Sequence, residues 1–164
     1  MKDLPAPTPD TPTLAGLRAA LGRLAADARP RWGRMDAPQM LRHCRVFAEL
    51  CLGRVRVGLP VRALARLFGP LFLRRLLRRS PRQAPREMTT LPVLRAQADL
   101  ALDADEERRR LDATLAEVEA LAGTCRHPLY GAMRAVDVET LVRHHTAHHA
   151  NQFGLLDAAP AGLD

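Results

Sequence analysis

The chain has 164 residues, with 25 basic against 18 acidic side chains and a formal net charge of +7. That length suits one domain with a core of its own, and no apolar run approaches the roughly 20 residues of a membrane-spanning helix. Residues 1–12 are polar and proline-rich, so no secretory signal is read there and the expected compartment is the cytoplasm. The three cysteines, Cys44, Cys51 and Cys125, have an odd count and no metal-knuckle spacing, which argues against a disulfide framework. Aromatic residues make up only 4% while Leu, Ala and Arg dominate, a composition that favours helix over sheet.

In chain order, residues 1–12 are expected as a flexible tail and residues 13–156 as a single helical domain. Thr13 opens a first helix with Leu14, Leu17, Leu21 and Leu24 at helical spacing, ending before Pro30. Asp36 and Gln39 have the spacing of a capping box and Pro38 is tolerated in a first turn, so a second helix is predicted at about 37–52. Gly53 and Gly58-Leu59-Pro60 mark a turn. A helical stretch from Val61 to Arg79 follows, with a kink or break expected at Gly69-Pro70. Ser80 to Pro92 reads as a proline-bearing loop. Asp103 or Asp105 then starts a long amphipathic helix through Ala122, carrying Leu111, Leu115, Val118 and Leu121. Gly123 to Ala135 forms a connection, Asp137 is the expected cap of the final helix, and residues 157–164 are a C-terminal tail.

That final helix carries His-His-Thr-Ala-His-His at 144–149, four of the six histidines in the chain. At roughly 100° per residue, Val138, Leu141, Val142, Phe153 and Leu156 define an apolar arc centred near His145 and His149, with Gln152 beside them. His148 falls on the shoulder of the arc and His144 further out, towards the surface. Two inward imidazoles without partners would cost roughly 1–3 kcal/mol for each unsatisfied group, and a divalent ion would satisfy them. A third ligand must come from elsewhere. His127 precedes Pro128 in an expected loop, whereas His43 lies on the second helix, inside an apolar face formed by Met40, Cys44, Phe47, Leu50 and Cys51. One helix with one inward histidine and another with two at i and i+4 supply three neutral nitrogens to one ion. Against this stands the common case of a single histidine on an apolar face being a hydrogen-bonded core residue. Cys44 points about 100° away from His43 on the helix and reads as a small core residue. Three imidazoles suit zinc, nickel or iron better than magnesium or calcium and leave a coordination position open to water or a thiolate, for hydrolysis or thiol transfer. Gln152, one turn beyond His149, is placed either to bond a ligand or an imidazole or to bond backbone at the helix end, and Tyr130 is a candidate either to reach the same pocket or to pack in the core. No Glu adjoins the histidines as in a metalloprotease motif.

Trp32-Gly33-Arg34-Met35 with Gln39-Met40-Leu41-Arg42-His43-Cys44, and His145-Thr146-Ala147-His148-His149 with Gln152-Phe153-Gly154, resemble the two halves of the DinB/YfiT-like metalloenzyme family. His127-Pro128-Leu129-Tyr130-Gly131 is similar to a turn before the last helix in one branch, known only as a domain of unknown function. The resemblance spans about Leu14 to Leu156. It implies an all-α fold, a DinB-like antiparallel four-helix bundle with an extra Arg-rich helical insertion after the second helix, and a divalent metal held by His43, His145 and His149. Characterised members implied by it are transferases or isomerases using a low-molecular-weight thiol such as bacillithiol, mycothiol or glutathione. The partners expected on this reading are a small-molecule substrate, with such a thiol as the candidate, and a second copy of the chain in a homodimer.

The Arg-rich insertion supports a competing expectation. From Arg54 to Arg86 there are ten arginines and no acidic residue, a stretch suited to nucleic acid, an anionic membrane surface or an acidic protein in a non-enzymatic bundle. Lys2 is the only lysine of the chain, so arginine richness is also a general bias of its composition. No aromatic stacking residues interleave with the arginines, and neither a helix-turn-helix nor a zinc finger is present, which ranks nucleic acid below the metal reading.

Overall fold

A computed structural model describes residues 4–86, Leu94 and 101–157. The chain is mostly helical, with helices α1 (Leu14–Gly22), α2 (Ala37–Cys51), α3 (Leu59–Leu77), α4 (Ala104–Glu119) and α5 (Ala135–Gln152) among the described residues. A 3-10 turn at Pro81–Gln83 follows α3, and strands β1 (Thr124–His127) and β2 (Gly131–Arg134) form an antiparallel pair between α4 and α5.

Local chemistry sets the helix starts. Thr13 caps α1 by accepting from the Gly16 amide, and Asp103 caps α4 by accepting from Glu106. At α2 the capping box is complete: Asp36 accepts from the Gln39 amide at 2.9 Å, and Gln39 Oε1 accepts from the Asp36 amide at 3.1 Å. Each satisfies an amide that the first turn leaves without an intrahelical partner. At α5 the expected cap is displaced. The helix starts at Ala135, and Asp137 sits inside its first turn, accepting from the Leu4 amide and the Arg134 guanidinium.

Helices α1, α2, α4 and α5 pack on one another around Leu17, Met40, Leu41, Leu111, Leu115, Val118, Val138 and Val142, all essentially sealed from water. Each buried leucine contributes about 1.5–3 kcal/mol. A buried ion pair ties α2 to α4, with Arg45 donating to Glu107 at 2.8 Å and to Glu49 on its own helix at 2.7 Å. Helix α5 is covered on several sides at once: Thr140, His144, Thr146, Asn151 and Gln152 are buried along with its apolar residues. Part of that cover is the N-terminal segment expected as a flexible tail. From Leu4 onward it is packed: Leu4 joins the core, and the Thr11 and Pro12 carbonyls accept from Arg143. Residues 158–164, most of the expected C-terminal tail, lie outside the described residues, as do residues 87–100 apart from Leu94, among them the end of the loop expected at 80–92.

Three further features differ from expectation. Helix α3 runs unbroken through Gly69-Pro70; Gly69 is buried against the Tyr130 ring, which a β-carbon there would strike. Its lack of a side chain is therefore needed for packing, and of the kink or break expected there the break does not occur. The 123–135 connection is a hairpin, turned at Gly131 with φ +78°. Helix α4 stops at Glu119, with Ala120 as its C-cap, one turn short of Ala122.

Candidate metal centre

The i, i+4 spacing of His145 and His149 carries both rings on one side of α5, opposite His43 of α2. Ring centroids are 4.9 Å apart for His43 and His145, 4.6 Å for His43 and His149, and 4.7 Å for His145 and His149. One nitrogen from each ring lies within 4.8 Å of the others, and His43 Nε2 is 3.1 Å from His145 Nε2. His43 and His149 are buried and His145 is partly so. All three ligands expected from the sequence are thus brought together, from two helices distant in the chain.

Hydrogen bonds decide which nitrogens are free. His43 Nδ1–H donates to the Leu94 carbonyl at 2.7 Å, and His149 Nδ1–H donates to Gln152 Oε1 at 2.8 Å. In each ring the proton is held at Nδ1, so Nε2 keeps its lone pair; metal-bound imidazoles have the same arrangement. Gln152 is itself fixed, its Nε2 donating to the Trp32 carbonyl at 2.7 Å. Gly33 makes room for this: it has φ +81°, and a β-carbon there would stand 2.7 Å from Gln152 Nε2. His145 stacks on Phe47 at 3.7 Å, and its Nδ1 is buried without a hydrogen-bond partner. Burial, reinforced by the neighbouring imidazoles, pushes His145 and His149 well below the usual histidine range, and burial lowers His43. The rings are therefore neutral at pH 7 and able to donate lone pairs. The donor set of three neutral nitrogens fits a divalent transition metal.

The other two histidines of the run have a different job. His144, expected near the surface, is buried, and its Nε2–H donates to the Arg79 carbonyl at 3.0 Å. His148 Nδ1–H donates to the Pro81 carbonyl at 3.1 Å. Together they fasten the end of α3 and the 3-10 turn to α5. The surface expectation for His144 assumed one buried face, whereas α5 is enclosed on several.

The triad lines a cavity of about 840 Å³, together with Phe47, Leu64, Phe68, Phe72, Tyr130 and His127. Gln152 lines it too and makes both kinds of contact weighed for it, one to the His149 imidazole and one to a backbone carbonyl. Tyr130 stacks on His127 at 4.7 Å, and burial pushes its phenol up to about 12, so it is an O–H donor at pH 7. Cys44 is fully buried, its thiol donating to the Met40 sulfur, and burial raises it far out of the thiolate range, as it does Cys51.

His127 carries a signal that sequence reading missed. It closes β1 and is almost completely buried; its Nδ1 accepts from the Leu129 amide at 3.1 Å and the Tyr130 amide at 3.4 Å. Burial lowers it to about 4 from 6.5. Below pH 6.5 the unfolded chain takes up a proton that the folded chain refuses until about pH 4, so stability is lost as pH falls through that window. A His127→Asn variant keeps an acceptor for the two amides and does not titrate. Urea unfolding at pH 7.5 and 5.0 should show the parent losing about 2 kcal/mol more than the variant; the triad's own titration is common to both and cancels. Equal losses would contradict a neutral buried His127.

Buried histidines set between packed helices, beside a largely apolar cavity, define a helical protein with a candidate three-histidine metal centre. Residues 11–154 match a family model described as "Protein of unknown function (DUF1569)". The match covers most of the chain, which belongs to this family. No curated protein and no solved structure matches the chain. No described helix is long and apolar enough to cross a membrane.

Proposed function

We propose that the chain is a cytoplasmic DinB-like bundle of α1, α2, α4 and α5 with α3 as its insertion, that His43, His145 and His149 hold one zinc, nickel or iron ion, and that it transfers a low-molecular-weight thiol to an electrophile. The observation that carries this reading is the pair of imidazoles whose Nδ1 protons are tied to Leu94 and Gln152, leaving Nε2 lone pairs beside a cavity large enough for a substrate. A divalent ion bound there supplies Lewis acidity that lowers the pKa of a thiol near neutrality. The chain's residues do the rest. Phe47, Phe68 and Phe72 line the cavity with apolar surface that suits an apolar electrophile. The Tyr130 phenol, protonated at pH 7, offers a donor to an oxygen of the substrate. In the transfer the thiol sulfur forms a bond to carbon, the leaving group departs with its electron pair, and the thiol proton passes to solvent.

Gln152 orients His149 through one hydrogen bond, and partners of this kind change metal affinity by about 10–100-fold. Gln152→Leu should therefore weaken binding by that factor in a competition with a chelator of known affinity, while the folded chain persists. Unchanged affinity would show that Gln152 does not support the site. The reaction is tested on metal-loaded, untagged protein by following consumption of bacillithiol, mycothiol and glutathione with monobromobimane. Turnover above that of the metal-stripped protein is expected. A fully loaded protein with no turnover for any of the three would remove the transferase reading and leave the metal site standing.

A further inference from the structure

Helix α3 leaves one side without a partner in the described fold. Leu64, Leu67, Phe68 and Leu71 recur at i, i+3, i+4 and i+7, on a single face, and are 61%, 73%, 58% and 75% exposed. The opposite side, with Gly69, Leu73 and Leu77, is already buried against the body. Large apolar residues gathered on one exposed face mark a contact surface. Its charge identifies the partner. Arg54 and Arg82 pair with Glu117 and Asp157, but the exposed Arg75, Arg78 and Arg79 at the end of the helix enter no ion pair among the described residues. A second copy of the chain would set these arginines against their equals. Nucleic acid would match the charge and leave the leucines in water. An anionic bilayer satisfies both, with an acyl boundary for the leucines and phenylalanine and phosphate for the guanidinium groups.

We infer that α3 is an interfacial helix, lying in the plane of an anionic membrane surface with Leu64, Leu67, Phe68 and Leu71 inserted at the headgroup boundary. Leu64 and Phe68 also line the histidine cavity, so the cavity wall is continuous with the membrane-seated face. The inference rests on exposure and charge, independently of any metal or reaction.

The test is co-sedimentation of the full chain with sucrose-loaded vesicles of phosphatidylcholine alone and of phosphatidylcholine with phosphatidylglycerol in equal parts. Binding to the anionic vesicles should exceed binding to the neutral ones by at least about tenfold, given about 1 kcal/mol for each arginine near the surface. It should fall by a similar factor in Leu67→Glu/Leu71→Glu, and separately in Arg75→Glu/Arg78→Glu, with circular dichroism confirming that both fold as the parent does. Absence of binding to anionic vesicles overturns the proposal. So does binding that survives the leucine substitutions, which would reduce it to non-specific charge. A self-association in ultracentrifugation abolished by Leu67→Glu/Leu71→Glu, without vesicle binding, would assign the face to a second copy. A preference for a phosphate-matched oligonucleotide would assign it to nucleic acid.

Discussion

Replacing His43 by alanine is expected to take bound metal from about one ion per chain to background, because two imidazoles from one helix do not make a stable site. His43 is the only member of the triad from α2, and its ring stands against both others; losing it leaves His145 and His149 facing an opened cavity. Elemental analysis of untagged protein checks this directly. A second readout follows from mass action, since an ion that binds only the folded chain raises its apparent stability. A chelator should lower the melting temperature of the parent and leave His43→Ala unmoved. Full occupancy in the variant would refute the triad. His144→Ala serves as the control and should retain its ion, because that side chain is bonded to the Arg79 carbonyl and is not among the converging nitrogens.

Glu107→Ala is expected to give the largest loss of stability among charged positions. Glu107 and Arg45 have side chains only 6% and 12% exposed, and breaking a buried pair by removing one partner costs about 3–5 kcal/mol. The guanidinium keeps Glu49, which places the loss near the lower end of that range. At about 2–4 °C per kcal/mol for a chain of this size, the melting temperature should fall by roughly 6–12 °C. Urea unfolding should show a lower midpoint at unchanged slope. A loss below about 1 kcal/mol would show the pair to be screened like a surface salt bridge.

What the sequence made legible follows from the range of the forces involved. The capping box at Asp36 and Gln39 is a contact over three residues, so α2 could be placed from its N-cap onward. The inward direction of His43, His145 and His149 follows from helical periodicity, and the same periodicity brings them together. Periodicity fails where burial is not one-sided. His144 is hidden by the end of α3 and Asp137 holds the Leu4 amide, and both contacts come from segments distant in sequence. Gly69-Pro70 reads locally as a breaker, yet the need at Gly69 is set by the Tyr130 ring, 61 positions away in the chain. The two four-residue strands carry no clean alternation, and only Gly131 hints at their turn.

The adjacency of the two histidine pairs on α5 has a mechanical consequence. His145 and His149 face the site, while His144 and His148 hold the carbonyls of Arg79 and Pro81 where the chain leaves α3. One helix therefore bears both the converging histidines and the anchor points of the segment that follows α3. The imidazole–carbonyl bonds that fasten the end of α3 are made by the immediate neighbours of His145 and His149, so the wall of the chamber and the alignment of its histidines depend on the same two turns of helix.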